Sequence, residues 1–124
     1  MMKFDVQKTQ FLNAFVRFQE LVHPQNMIER DALIQRFEFT FDSGWKSLKS
    51  LLEEKYSLDT PTPLQAFQEA IRIGILSESP VWLAMRDCRN MTSHTYSESV
   101  ANMVAETAEE FSKGFDVLKT LLTK

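Results

Sequence analysis

The sequence predicts an all-α fold, an up-and-down antiparallel helical bundle of four main helices plus one short helix, and three observations lead there. Apolar residues recur every three or four positions along most of the chain. Only three Gly and four Pro interrupt 124 residues, and the prolines stand at 24, 61, 63 and 80, which leaves long turn-free stretches that suit helices rather than many short strands. Hydrophobic residues make up 44% and charged residues 25%, with ten Phe, enough to fill one core. Residues 1–124 therefore read as a single helical-bundle domain without repeat, low-complexity segment or linker.

The first helix is marked by Phe4, Phe11, Phe15, Phe18 and Val22 on one stripe and is expected to end near His23-Pro24. Asn26 followed by Glu29 has N-cap spacing, and Ile34, Phe37, Phe41, Trp45, Leu48 and Leu52 continue a second and longest helix to about Tyr56. Gly44 weakens that helix locally. Thr62, Pro63 and Gln65 start a short third helix whose apolar side is Phe67, Ala70, Ile71 and Gly74, closed by residues 74–79. Ser79-Pro80 repeats the cap-plus-proline device for a fourth helix, with Val81, Met85 and Cys88 on its apolar stripe and Trp82 alongside. Its other face is polar: Arg86, Arg89, Asn90 and Ser93 stand at i, i+3, i+4 and i+7. The last helix starts after Ser97 and carries Val100, Val104, Ala108, Phe111, Phe115, Leu118 and Leu122.

Charge and cysteine count narrow the function classes. Fourteen basic against seventeen acidic residues give a formal net charge of −3 and a pI near 5.4, so any nucleic-acid contact must be local rather than a general basic surface. A single cysteine, Cys88, has no disulfide partner and no zinc-ligand spacing around it, which points to a reducing compartment, a small core thiol and no structural metal. No signal peptide and no membrane-spanning apolar run is read, so a soluble, cytoplasmic chain without a membrane partner is expected.

The densest cluster of reactive side chains runs from Arg86 to Tyr96 and holds two Arg, one of the two His and one of the two Tyr. On a continuous helix Arg89 and His94, five residues apart, diverge by about 140°, so convergence on one ligand requires the helix to end between them. Thr92-Ser93 favour such an end. A guanidinium that forks onto phosphate, an imidazole that exchanges protons near neutral pH and a nearby hydroxyl suit RNA phosphodiester cleavage through the ribose 2′-OH, without metal or other cofactor. One imidazole is few for an acid and a base, and a two-fold homodimer bringing two corners together supplies the second. The plainer alternative is that Arg and His merely interact with a helix C-terminus. His23 reads as a helix-end or solvent residue, Glu53-Glu54 and Glu109-Glu110 as solvated faces, and Arg86–Asp87 as a local ion pair. Phe39 and Trp82 read as core by default, or as interface if they lie off the apolar stripes.

Arg89-Asn90-Met91-Thr92-Ser93-His94-Thr95-Tyr96 resembles the signature of HEPN domains, an Arg, a polar residue, three others and a His, in the extended form with Tyr two positions later. Arg36-Phe37-Glu38-Phe39-Thr40-Phe41 with Trp45-Lys46 is similar to the second helix of the small HEPN subunits encoded beside minimal nucleotidyltransferases. The resemblance implies a bundle that dimerises with the motif at a shared cleft. In HepT-like members it implies a metal-independent endoribonuclease, the toxin of a two-gene toxin–antitoxin pair, restrained by an MntA-like nucleotidyltransferase from the adjacent gene that transfers AMP to the motif Tyr. In other members it implies a non-catalytic substrate- or nucleotide-binding subunit of that nucleotidyltransferase. Carried onto this chain, Arg89 and His94 are the catalytic pair, Asn90, Tyr96 and Arg86 bind or orient substrate, and Tyr96 is the AMP-acceptor position. RNA is the implied substrate, no metal is required, and Asp42, where the sequence departs from the family pattern, receives no role.

Overall fold

The structure is a computed structural model of the 124-residue chain and describes residues 3–93 and 97–124. It contains α1 (Lys3–Gln19), α2 (Met27–Tyr56), α3 (Pro63–Arg72), α4 (Pro80–Thr92) and α5 (Glu98–Leu122), an all-α bundle in which the 30-residue α2 touches each of the other four helices. Four of the five starts are capped as the sequence predicts. The side chains of Asn26, Thr62, Ser79 and Ser97 accept hydrogen bonds from the backbone N–H groups of Glu29, Gln65, Val81 and Val100, satisfying donors that have no carbonyl partner within their own helix.

The pairings fix the helix directions. Along α1 and α2, the Phe4 N–H donates to Glu54 (3.1 Å), Ser50 bonds Gln7, Phe11 packs beside Gly44 and Phe18 beside Phe37, a descending series that makes the pair antiparallel. Between α2 and α5 the series ascends, from Arg30 with Glu98 and Asn102, through Phe37 with Phe111, to Gly44 with Leu118, so these two helices are parallel. Val81 and Met85 at the start of α4 meet Gly114 near the end of α5, which makes that pair antiparallel. The short α3 bridges α2 and α4.

Aromatic rings run through the core without a break: Phe115 against Phe37, Phe37 against Phe41, Phe41 against Phe67 and Phe67 against Trp82, with centroid separations of 5.3–6.2 Å. Aromatic pairs at such spacing contribute beyond the area they bury. Trp82 is thus core, and its indole N–H donates to the Ser77 carbonyl at 3.0 Å.

Three sequence expectations need correction. The first helix stops at Gln19, before His23-Pro24, because the Arg36 guanidinium takes the Arg17 carbonyl (2.7 Å) while Leu21 and Val22 leave the helix to pack on the core. Gly74 is not on the apolar side of α3; it lies beyond the helix end at φ +82°, where Ile75 and Leu76 N–H groups return to the Ala70 carbonyl. On α2, Ile34 and Trp45 are only half-buried, while Leu33, Thr40, Gly44 and Ser47 are buried, since a helix with four neighbours buries more than one stripe. The hydroxyls of Thr40 and Ser47 are satisfied by the carbonyls four residues back, both at 2.7 Å.

At Gly44 the Phe11 ring of α1 packs directly against the α2 backbone. A Cβ placed there stands 3.0 Å from two ring carbons of Phe11, itself fully buried. Gly44→Ala is expected to destabilise the fold by about 1 kcal/mol, an overpacking cost of roughly 1–3 kcal/mol reduced by roughly 1 kcal/mol for the better helix propensity of Ala. Urea unfolding of the two proteins checks this; an equal or higher midpoint for the variant contradicts the close approach.

Candidate functional site

Arg89 stands in the last turn of α4 and is the best-held cation among the described residues of the reactive cluster. Its Nε and Nη2 donate to the two carboxylate oxygens of Asp42 at 2.9 and 3.0 Å, a bidentate fork, and its Nη1 donates to Glu38 at 2.9 Å. Glu38 and Asp42 are four residues apart on α2, one position beyond Phe37 and Phe41. Because Phe37 and Phe41 are locked into the core, a further 100° of helix turn aims both carboxylates at α4. The Asp42 hydrogen bond, with the Asp42 and Glu38 charges behind it, raises the Arg89 pKa above its ordinary value against a smaller opposing effect of burial. Arg89 stays charged at every working pH.

The helix end that the motif requires is present. α4 finishes at Thr92 with Ser93 as its cap residue; the Thr92 hydroxyl donates to the Arg89 carbonyl (3.0 Å) and the Ser93 hydroxyl to the Asn90 carbonyl (2.8 Å). His94 and Tyr96, the other catalytic candidate and the AMP-acceptor candidate, lie outside the described residues. Asn90 is exposed beside Arg89. Arg86 pairs with Asp87, its Nε 3.0 Å from the carboxylate though without hydrogen-bond geometry.

The remaining candidates separate cleanly. His23 is exposed and 3.8 Å from Glu109 of α5. Glu53 faces Lys49 and Glu110 faces Lys113, as solvated pairs do. Cys88 is buried, and burial together with the Glu38 charge pushes its thiol up to about 12. Phe39, by contrast, is 58% exposed and is no part of the core. Among the described residues no group of three or more His, Cys, Asp or Glu is placed to hold a metal ion, and no helix is long and apolar enough to cross a membrane.

The sequence model of the family described as "nucleotidyltransferase substrate binding protein like" matches residues 7–124. The chain belongs to that family. A crystal structure of a protein from Thermus thermophilus superposes with a TM-score of 0.84 at 31% identity, covering 92% of this chain and 99% of that one. A Haemophilus influenzae structure, reported as the fold of a substrate-binding domain of a nucleotidyltransferase, superposes with a TM-score of 0.68 over 98% of this chain and 97% of that one, and at 24% identity it speaks for the fold. Another similar protein, "Probable ribonuclease HepT" of Haemophilus influenzae, is 33% identical over 95 residues. That alignment covers 70% of this chain and 65% of the relative, just under two thirds of its length.

Within this fold, the site residues that sequence reasoning missed are Glu38 and Asp42. Their signal was available: two acids four residues apart on the helix row adjoining a pair of core Phe, opposite a helix whose polar face carries an Arg.

Two outcomes check this geometry. Asp42→Ala is expected to cost about 1 kcal/mol of stability, the upper end for a pair still reached by water, and Glu38→Ala less, since it removes one hydrogen bond rather than two; equal midpoints for both variants and the parent contradict the clamp. The Cys88 thiol is expected to resist alkylation in the native protein at pH 8 and to react fully in urea. Because its folded pKa is raised from 9.0 to about 12, the stability this thiol contributes is intact below pH 9 and falls as pH rises toward 12, a loss that Cys88→Ala abolishes.

Proposed function

We propose that the chain is the HEPN-type partner subunit of a minimal nucleotidyltransferase and acts as a metal-independent endoribonuclease, the toxin half of a two-gene pair, in the form of a homodimer. The observation that carries this reading is the hold on Arg89 immediately before the point where α4 ends. Of its five N–H groups three are committed to Asp42 and Glu38 and a fourth reaches the Thr92 hydroxyl at 3.5 Å, which leaves the second N–H of Nη2 to meet a phosphate oxygen while the guanidinium is fixed from behind. Such preorganised charge is what a crowded phosphorane needs, because no reorganisation is required as the negative charge develops. His94, two residues past the helix end, is the proton-transfer group, and its counterpart from the second subunit serves the opposite role, one taking the proton of the 2′-OH and the other giving one to the departing 5′ oxygen. Asn90 and Tyr96 orient the substrate, Arg86 adds charge at the rim, and Tyr96 is where the partner nucleotidyltransferase transfers AMP to silence the site.

One observation favours the second reading, a non-catalytic subunit that presents a nucleotide or RNA end to the nucleotidyltransferase. Arg89 with Glu38 and Asp42 sums to a charge of −1, so in a single subunit the clamp draws phosphate weakly and depends on other cations.

RNA cleavage by the purified full chain in EDTA separates the two. The ribonuclease reading expects cleavage by the parent and a loss of at least about 10²-fold in His94→Ala and in Arg89→Ala, both still folded and dimeric; equal rates in variant and parent remove that residue from the mechanism. The binding reading expects no cleavage from any of them, with nucleotide bound by the parent. Mass spectrometry after incubation with the nucleotidyltransferase and ATP tests the regulation, since an unmodified Tyr96 rules out control by AMP transfer.

A further inference from the structure

Helix α2 presents three adjoining rows of side chains to three different surroundings. Phe37 and Phe41 face the core, Glu38 and Asp42 face Arg89, and the next row, Phe39, Ser43 and Lys46 at i, i+4 and i+7, faces an open groove against α1. Phe39 stands between two hollows of that groove, about 440 Å³ and 220 Å³ in volume, and Ala14 and Arg17 of α1 line both. An exposed aromatic ring between two hollows is a surface left to be covered.

Charge decides by what. The charged residues lining the two hollows are three basic ones, Arg17, Arg36 and Lys46, and a single acid, Asp42, whose carboxylate is already taken by Arg89. Arg36 is spent on Glu20 and the Arg17 carbonyl. Arg17 and Lys46 make no ion pair among the described residues, so the groove carries uncompensated positive charge in a chain of net charge −3. An apolar partner helix gains nothing from two unpaired cations at its rim. A ring to stack on, with cations alongside, is the combination that binds single-stranded nucleic acid without regard to sequence. Asp42 lines the larger hollow and holds Arg89, so the groove and the clamp share one side chain.

We propose that the α1–α2 groove is a subsite for single-stranded RNA, in which one base stacks on Phe39 and the flanking phosphates meet Arg17 and Lys46 as the strand passes Asp42 to reach Arg89. The inference rests on the RNA-directed reading above and supplies the cations that the clamp itself lacks.

The test is fluorescence anisotropy of a short labelled oligoribonucleotide with the full chain carrying His94→Ala, so that the probe stays intact, in EDTA over a series of salt concentrations. Adding Phe39→Ala is expected to weaken binding on the order of 10-fold, and Phe39→Trp to preserve it. Arg17→Ala with Lys46→Ala is expected to lower the slope of log affinity against log salt by about 1.4, two phosphate contacts on a single strand. Unchanged affinity in Phe39→Ala overturns the subsite, as does absence of RNA binding at low salt. Sedimentation velocity guards against the other occupant: weaker binding by Phe39→Ala accompanied by conversion of a dimer to monomers assigns the face to a second copy of the chain and overturns the proposal. Cleavage by the parent with Phe39-independent binding sinks the subsite alone, whereas Phe39-dependent binding without cleavage sinks only the nuclease.

Discussion

The ring of Phe115 lies with its centre 5.4–6.2 Å from those of Phe11, Phe15 and Phe18 on α1 and Phe37 on α2. Burying five rings around one point removes several hundred square ångströms of apolar surface from water, and close packing leaves them little freedom to rotate. The consequence for the rest of the molecule is angular. With Phe37 fixed inward, every other residue of α2 acquires a fixed bearing. The rows that follow it then face α4 and the open groove by helix geometry alone.

That angular constraint explains why a charged cluster survives at the edge of an aromatic core. The clamp on Arg89 ties α4 directly to α2, beside the ring series that joins them by way of Phe67 of α3, and it does so with carboxylates only partly withdrawn from water, Glu38 at 24% and Asp42 at 36% side-chain exposure. Deeper burial makes such a group costly to desolvate. At the surface its value is orientation: the guanidinium is charged, directed and still has one N–H to offer. Cys88, its neighbour in sequence, turns 100° the other way into the core and is chemically quiet for the same geometric reason.

Much of the architecture was legible in local sequence because it rests on local physics. The caps at Asn26, Thr62, Ser79 and Ser97, the prolines at 63 and 80, and the three-to-four spacing of Phe each act within a turn or two of their own position. The errors arose where a distant residue intervened. Arg36 shortens α1 by taking a carbonyl nineteen positions earlier, and four neighbouring helices bury Thr40 and Ser47 that a single-stripe reading leaves outside. The site divides along the same line: Arg89, and the helix end that follows it, were readable from one short segment, whereas Asp42 and Glu38 are 47 and 51 positions away.

By itself, then, the sequence determined five helices, four of their starts, the core thiol and the Arg-to-His spacing, since each depends on hydrogen bonds and side-chain periodicity within one stretch of chain. Only the tertiary structure decided that two acids of α2 grip Arg89, that Phe39 is left in water while Trp82 is not, and that Arg17 and Lys46 share a groove. Those facts depend on which faces of separate helices meet, and that is settled by how large side chains such as Phe11, Phe37 and Phe115 fill space together, a property of the whole core.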